Sequence, residues 1–263
     1  MVALPDLWKV LNKIGDASLI LCGDPAQLPP ISFGLVFHVL TTLNDLPSVL
    51  LDRVMRQDER TGIPRIAEGI RYGRLEELPT YEGIRAGVSF IPCADNEVIS
   101  LLDGIKEDIA ACAAVSGDFQ CIGAIKAGAA GVDAINQHFH EIALQDGAAP
   151  WPRYGHICAG EPFIFKKNDA ERDLTNGSMG YIEHFNEREI LVTIDGRQDT
   201  LRPSDWHNVG LAHAITVHKS QGSQWDIVTI PVFSSFILDR ALIYTALTRA
   251  KTQVIFMGDP VAL

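Results

Sequence analysis

Apolar positions along this chain follow two rhythms. Continuous apolar runs at 18–22, 48–51, 88–91, 119–125, 226–232 and 253–257 have the length and composition of strands buried on both faces. Between them apolar residues recur at helical spacing, as in Leu4, Leu7, Trp8 and Leu11, or Ile63, Ile66, Ala67 and Ile70. The same spacing predicts helices at 35–43, from a cap at Asp95 or Asn96 to about Val115, at 130–144 and at 239–249. On the helix at 130–144, Val132, Ile135, Phe139 and Ile142 form the inward stripe, leaving Asn136, Gln137 and His140 toward water or a partner. Strands alternating with helices predict an α/β fold built on a parallel sheet wound on both faces.

The rhythm changes after a Pro- and Gly-rich linker at 146–152, where Trp151 sits between two prolines. From 157 to 203 short runs at 162–165, 180–183, 189–194 and 198–201 alternate with the turn signals Asn176-Gly177 and Asp195-Gly196. This predicts a small antiparallel β-unit inserted in the α/β domain, of a size that suits an SH3-like barrel. Lys166, Lys167, Asn168 and Arg172 on its first loop read as a solvated face.

Composition narrows the function classes. A formal charge of −11 argues against a generally basic nucleic-acid binder, so any polyanion site has to be a local groove. Residues 211–251 supply one, with Lys219, Arg240, Arg249 and Lys251 against Asp226 and Asp239. Cys22, Cys93, Cys112, Cys121 and Cys158 are scattered without a C-x-x-C pair and read as buried thiols of a reducing compartment. No apolar run approaches the ~18 residues needed to span a bilayer. A cytoplasmic protein with no membrane partner is expected.

Four polar stretches interrupt these elements. Gly23-Asp-Pro-Ala-Gln-Leu-Pro-Pro30 follows the first expected strand, leaving Asp24 and Gln27 at its carboxyl end, where open α/β sheets bind ligands. Val54-Met-Arg-Gln57 follows the second. Ala214-Ile-Thr-Val-His-Lys-Ser-Gln-Gly222 packs more polar side chains than a buried segment can satisfy without partners. Tyr244-Thr-Ala-Leu-Thr-Arg-Ala-Lys251 closes the last helix.

In that order the four stretches resemble motifs III, IV, V and VI of superfamily-one helicases. The His-Lys-Ser-Gln-Gly form, the Leu-Pro-Pro and the inserted β-unit with its Asn176-Gly-Ser-Met-Gly180 turn resemble the RecD-like branch, which includes the exodeoxyribonuclease V alpha subunit and conjugative relaxase helicases. The resemblance implies a RecA-like parallel-sheet motor domain at 45–156 and 204–263, an SH3-like insertion at 157–203, and the end of a first RecA-like domain at 1–44. It implies that Arg56 and Arg249 reach the γ-phosphate of ATP, that Gln27 senses it, and that Gly23, Asp24 and Gly222 border the nucleotide. Thr216, His218, Lys219, Ser220 and Gln221 would hold single-stranded DNA by its phosphates, with Trp225 a stacking candidate.

Two features depart from the pattern. Gln224 stands where such helicases carry an acidic residue, and the chain has no G-x-x-x-x-G-K-[ST] loop and no Walker B carboxylate pair. The expectation is therefore a carboxyl-terminal portion of an ATP-dependent DNA helicase of 5'-to-3' polarity, inactive as an ATPase alone. ATP and Mg²⁺ would bind in the parent protein. Its partners would be single-stranded DNA, the missing amino-terminal motor domain, and other subunits of a nuclease or conjugation complex. Two alternatives stay open: a standalone nucleic-acid-binding module without an ATP site, and a fragment of an RNA helicase.

Overall fold

The computed structural model describes residues 9, 12–14, 19–29, 35–51, 57–112, 117–151, 156–186, 189–194 and 196–263. Leu4, Leu7, Trp8 and Leu11 of the expected first helix lie outside them. In chain order the elements begin with α1 (Val36–Leu40), α2 (Ile63–Arg71), β1 (Gly87–Pro92), α3 (Val98–Ala111), β2 (Phe119–Gly123) and α4 (Val132–Gln145). Then come β3 (Pro162–Phe165), β4 (Met179–Phe185), β5 (Ile190–Ile194), β6 (Arg197–Leu201) and β7 (Val209–Leu211). The last are β8 (Ala214–Thr216), β9 (Trp225–Val232), α5 (Arg240–Leu247) and β10 (Ala250–Gly258).

Five strands form a parallel sheet in the order β1-β10-β9-β2-β8. Its strands are buried on both faces because successive side chains point to opposite sides. In β10, Val254 and Phe256 pack with Ile63, Ile66 and Ile70 of α2 and with Leu242 and Leu247 of α5. Ile255 and Met257 point the other way, onto Leu102 and Ile105 of α3 and Ile135 and Phe139 of α4. Three layers result, which is why apolar runs without alternation marked these strands. Local signals start the helices: Asp239 caps α5 by accepting from Leu242 N at 2.8 Å, and Gly62, at φ 70°, turns the chain into α2.

The second sheet is antiparallel, in the order β6-β5-β4-β3-β7, and holds a separate core of Phe163, Phe165, Ile182, Val192, Leu201 and Val209. The β5–β6 turn carries Gly196 at φ 74°, as the hairpin signal predicts. This sheet extends past the expected end at 203, because β7 pairs with β3 through Phe163, Ile164 and Phe165. Only Ala212 and His213 separate β7 from β8 of the parallel sheet. Buried amides hold that crossover. Asn136 donates to Ala214 O and accepts from Ala214 N, both at 2.9 Å, and Gln120 Nε2 donates to Ala212 O at 3.1 Å.

Several expectations are corrected. Asn136 and His140 are buried, since each finds a polar partner inside: Ala214 for the first, Glu161 for the second. The helix expected from 95 to 115 starts as a 3-10 turn, Asp95–Glu97, and its α-helix ends at Ala111. Residues 19–22 and 48–51 are not strands, and Ile20, Val49 and Leu51 are exposed. An apolar run becomes a strand only where another strand completes its ladder, and among the described residues none pairs with these. Among the described residues no helix is long and apolar enough to cross a membrane.

Candidate functional site

All four polar stretches meet around the end of α5, the second of them through Gln57. Asp24 accepts from Ala26 N at 3.0 Å, from Gln27 Nε2 at 3.1 Å and from the Tyr244 hydroxyl at 3.2 Å. Its turn-forming bond is therefore also a tether to the helix. Leu28 N donates to Thr245 Oγ1 at 2.8 Å, and Leu28 O accepts from Gln221 Nε2 at 3.4 Å. Gly23 lets the loop pass, because a Cβ there would lie 2.8 Å from the Phe37 ring. Gly222 turns the chain at φ 91°, a conformation that suits glycine alone among common residues.

Arg249 is 3% exposed. Its Nε donates to Thr245 O at 3.0 Å, at the C-terminal end of α5, where a cation is favoured. Its Nη2 donates to Thr248 Oγ1 at 3.2 Å and to Gln27 Oε1 at 3.3 Å. Gln27 thus bridges Asp24 and Arg249. Gln57, also buried, donates from Nε2 to Thr248 O at 3.1 Å and to Ala250 O at 3.0 Å, clamping the backbone on both sides of Arg249. Nothing in the sequence singles out Gln57 beyond its place beside Arg56. Arg56 itself lies outside the described residues.

On the other side of Gly222 opens a groove of about 1390 Å³, whose wall combines Thr216, His218 and Lys219 with Lys126 and the Asn176–Ser178 turn of the inserted sheet. His218 and Gln221 are exposed, and Thr216 and Lys219 are half-buried. Burial lowers the Lys219 ammonium below its usual range, and the nearby Lys166 and Lys126 lower it further. Convergent cations of this kind favour an anion between them. Ser220 is differently placed: it is fully buried and its hydroxyl donates to Val217 O at 2.7 Å, so it shapes the turn beneath the groove.

The aromatic candidates separate as well. Trp225 opens β9 at 9% exposure inside the core, whereas Phe236 stands fully exposed on the groove lining, in a loop the sequence reading passed over. Its signal was an aromatic between two serines and an isoleucine, with no strand or helix period to bury it. Arg172 is not a solvated surface charge. It is half-buried and bridges Asp169 and Asp205, each at 2.7 Å, which raises its own pKa and fixes the loop. Asn168 Oδ1 accepts from Asn176 N at 2.8 Å and so braces the turn in the groove wall. The Gln224 amide nitrogen is enclosed with no hydrogen-bond partner among the described residues.

Residues 211–257 match the UvrD-like helicase C-terminal domain, and residues 1–86 match the AAA domain. The ATP-dependent RecD2 DNA helicase of Deinococcus radiodurans is 28% identical over 92% of this chain and 33% of its own length. The RecBCD enzyme subunit RecD of Mycolicibacterium smegmatis is 30% identical over 98% of this chain and 48% of its own. The chain therefore spans between about a third and a half of the length of these relatives. The crystal structure of Pif1 helicase from Bacteroides in complex with ADP-AlF3 and ssDNA superposes with a TM-score of 0.50 at 18% identity, covering 89% of this chain and 60% of that one, and so shares its fold. Along nearly its whole length, then, this chain is similar to part of RecD-type DNA helicases.

Proposed function

We propose that this chain is the part of an ATP-dependent DNA helicase that couples a γ-phosphate sensor to a grip on single-stranded DNA. The observation that carries the reading is the continuous run of contacts from Arg249 through Gln27 and Leu28 to Gln221, which lies beside the groove of Lys219. In a motor this run transmits nucleotide state to DNA contacts. Residues 1–44 belong to a first motor domain, 45–156 and 212–263 to a second, and the antiparallel sheet through Leu211 is the insertion. The loop and lysine that cradle the β- and γ-phosphates, and the Mg²⁺ ligands, come from outside these 263 residues, since no G-x-x-x-x-G-K-[ST] occurs within them. The isolated chain is then a binder of single strands without ATP turnover. In the complete protein, partner subunits of the kind named for the RecD relatives are expected to join it.

Thr216, His218, Lys219 and Gln221 hold phosphates, and Phe236 offers a π-face to a base. The test is binding of labelled single-stranded DNA and RNA across a salt series, with ATP turnover measured in parallel. Lys219→Ala is expected to weaken DNA binding about tenfold at low salt and to reduce the slope of log affinity against log salt by roughly 0.7, one phosphate contact. An unchanged affinity and slope would remove Lys219 from the DNA path. Tighter RNA binding would favour the RNA helicase reading, and robust ATP turnover by this chain alone would overturn the division of labour.

A further inference from the structure

Three potential metal ligands, His140, Cys158 and Glu161, gather where the inserted sheet joins the motor sheet, away from the nucleotide and single-strand contacts proposed above, and His213 lies beside them. His140 comes from α4, Cys158 and Glu161 from the turn that enters β3, and His213 from the two-residue link between β7 and β8. Cys158 and Glu161 are 0% and 2% exposed and His140 is 5% exposed. The donor atoms of His140, Cys158 and Glu161 all lie within 4.8 Å of one another. His140 Nδ1 is 2.8 Å from Glu161 Oε2 and 3.9 Å from Cys158 Sγ, and His213 Nε2 is 3.1 Å from Glu161 Oε1.

A thiol and a carboxylate thus converge on the same imidazole nitrogen. Glu161 Oε2 also accepts from Cys158 N, which draws the three side chains together. A cation at the point of convergence would take all three as ligands. Tetrahedral zinc, with bonds of about 2.0 to 2.3 Å, spaces its donors by roughly 3.3 to 3.6 Å. Reaching that spacing means opening the His140–Glu161 contact by about half an ångström and closing the His140–Cys158 contact by about 0.3 Å. Charge balances too: a thiolate, a carboxylate and a neutral imidazole around a divalent ion give a neutral buried cluster. The mixed sulfur, nitrogen and oxygen set favours zinc over magnesium or calcium, so this site is chemically separate from any Mg²⁺ that accompanies ATP.

We propose that His140, Cys158 and Glu161 form a structural zinc site, braced by His213 on the second Glu161 oxygen, that pins the inserted sheet to the motor sheet at both chain crossings. His213 holds the carboxylate from behind, as an outer partner whose loss costs about 10- to 100-fold in metal affinity. On binding, the Cys158 thiol releases its proton to solvent, the His140 imidazole turns its Nδ1 lone pair to the ion, and the Glu161 carboxylate exchanges its His140 contact for the metal while keeping that to His213. The ion then joins α4, the entry to β3 and the approach to Thr216 and Lys219.

The test uses the whole 263-residue chain, stripped with chelator and titrated with Zn²⁺ or Co²⁺ alone. The expected result is about one metal per chain, a cobalt spectrum with tetrahedral intensity and a near-ultraviolet thiolate charge-transfer band, and a Tm raised by about 5 °C or more at a hundredfold excess over Kd. Cys158→Ser removes the charge-transfer band, and His213→Gln weakens binding at least tenfold, while Cys22→Ser leaves both unchanged. A wild-type chain that shows no thiolate band, or a band that survives in a folded Cys158→Ser variant, overturns the proposal. The wild-type spectrum decides the matter even if the cluster variants do not fold.

Discussion

Arg249→Ala in the complete helicase is expected to cut ATP turnover by about a thousandfold or more while changing ATP affinity less than tenfold. The reason is preorganisation. The guanidinium is fixed by Thr245 O, Thr248 Oγ1 and Gln27 Oε1, so little ordering remains when charge develops on the transferred phosphoryl group. Arg249→Lys is expected to stay low, because one ammonium cannot reproduce the directed donors of the planar fork. Removal also leaves Gln27 Oε1 without this donor, so the variant is destabilised by about 1 to 3 kcal/mol and its rates must be compared below its own Tm. Turnover within tenfold of the unaltered protein would show that Arg249 does not act on the transition state.

Phe163→Ala is expected to cost about 3 to 5 kcal/mol, and to spend it on one part of the molecule. Phe163 is fully buried in the core of the antiparallel sheet, between Gly180 of β4 and Leu211 of β7. That core is distinct from the two that sandwich the parallel sheet. Amide hydrogen exchange should therefore rise through 162–211 while β9 and β10 stay protected, and urea unfolding should split into two transitions. Affinity for single-stranded DNA should fall with it, since the turn at 176–178 walls the groove. A single transition that merely shifts would mean that the insertion and the motor sheet fold as one unit.

Much of the architecture was legible along the chain because its signals are local. The runs at 226–232 and 253–257 are apolar on both faces and became β9 and β10, and Asp195-Gly196 specified a hairpin through its turn chemistry. The same rule failed at 48–51, where composition favours a strand but nothing among the described residues completes a ladder. Helix periodicity placed Val132, Ile135 and Phe139 correctly and misplaced Asn136 and His140. A polar side chain is turned inward by its partner, and the partner of Asn136 is at 214.

The sequence alone determined the order of the motifs, the strand and helix alternation, and the presence of a β-insertion, since each depends on spacing within a few residues. Only the tertiary structure decided that Gln27 meets Arg249, that Gln57 clamps its flanks, that Ser220 is committed to Val217, and that positions 140, 158 and 161 share one buried point with His213 beside it. These are contacts between distant segments. Their energy comes from burial and from satisfying polar groups across the fold, which no local pattern records.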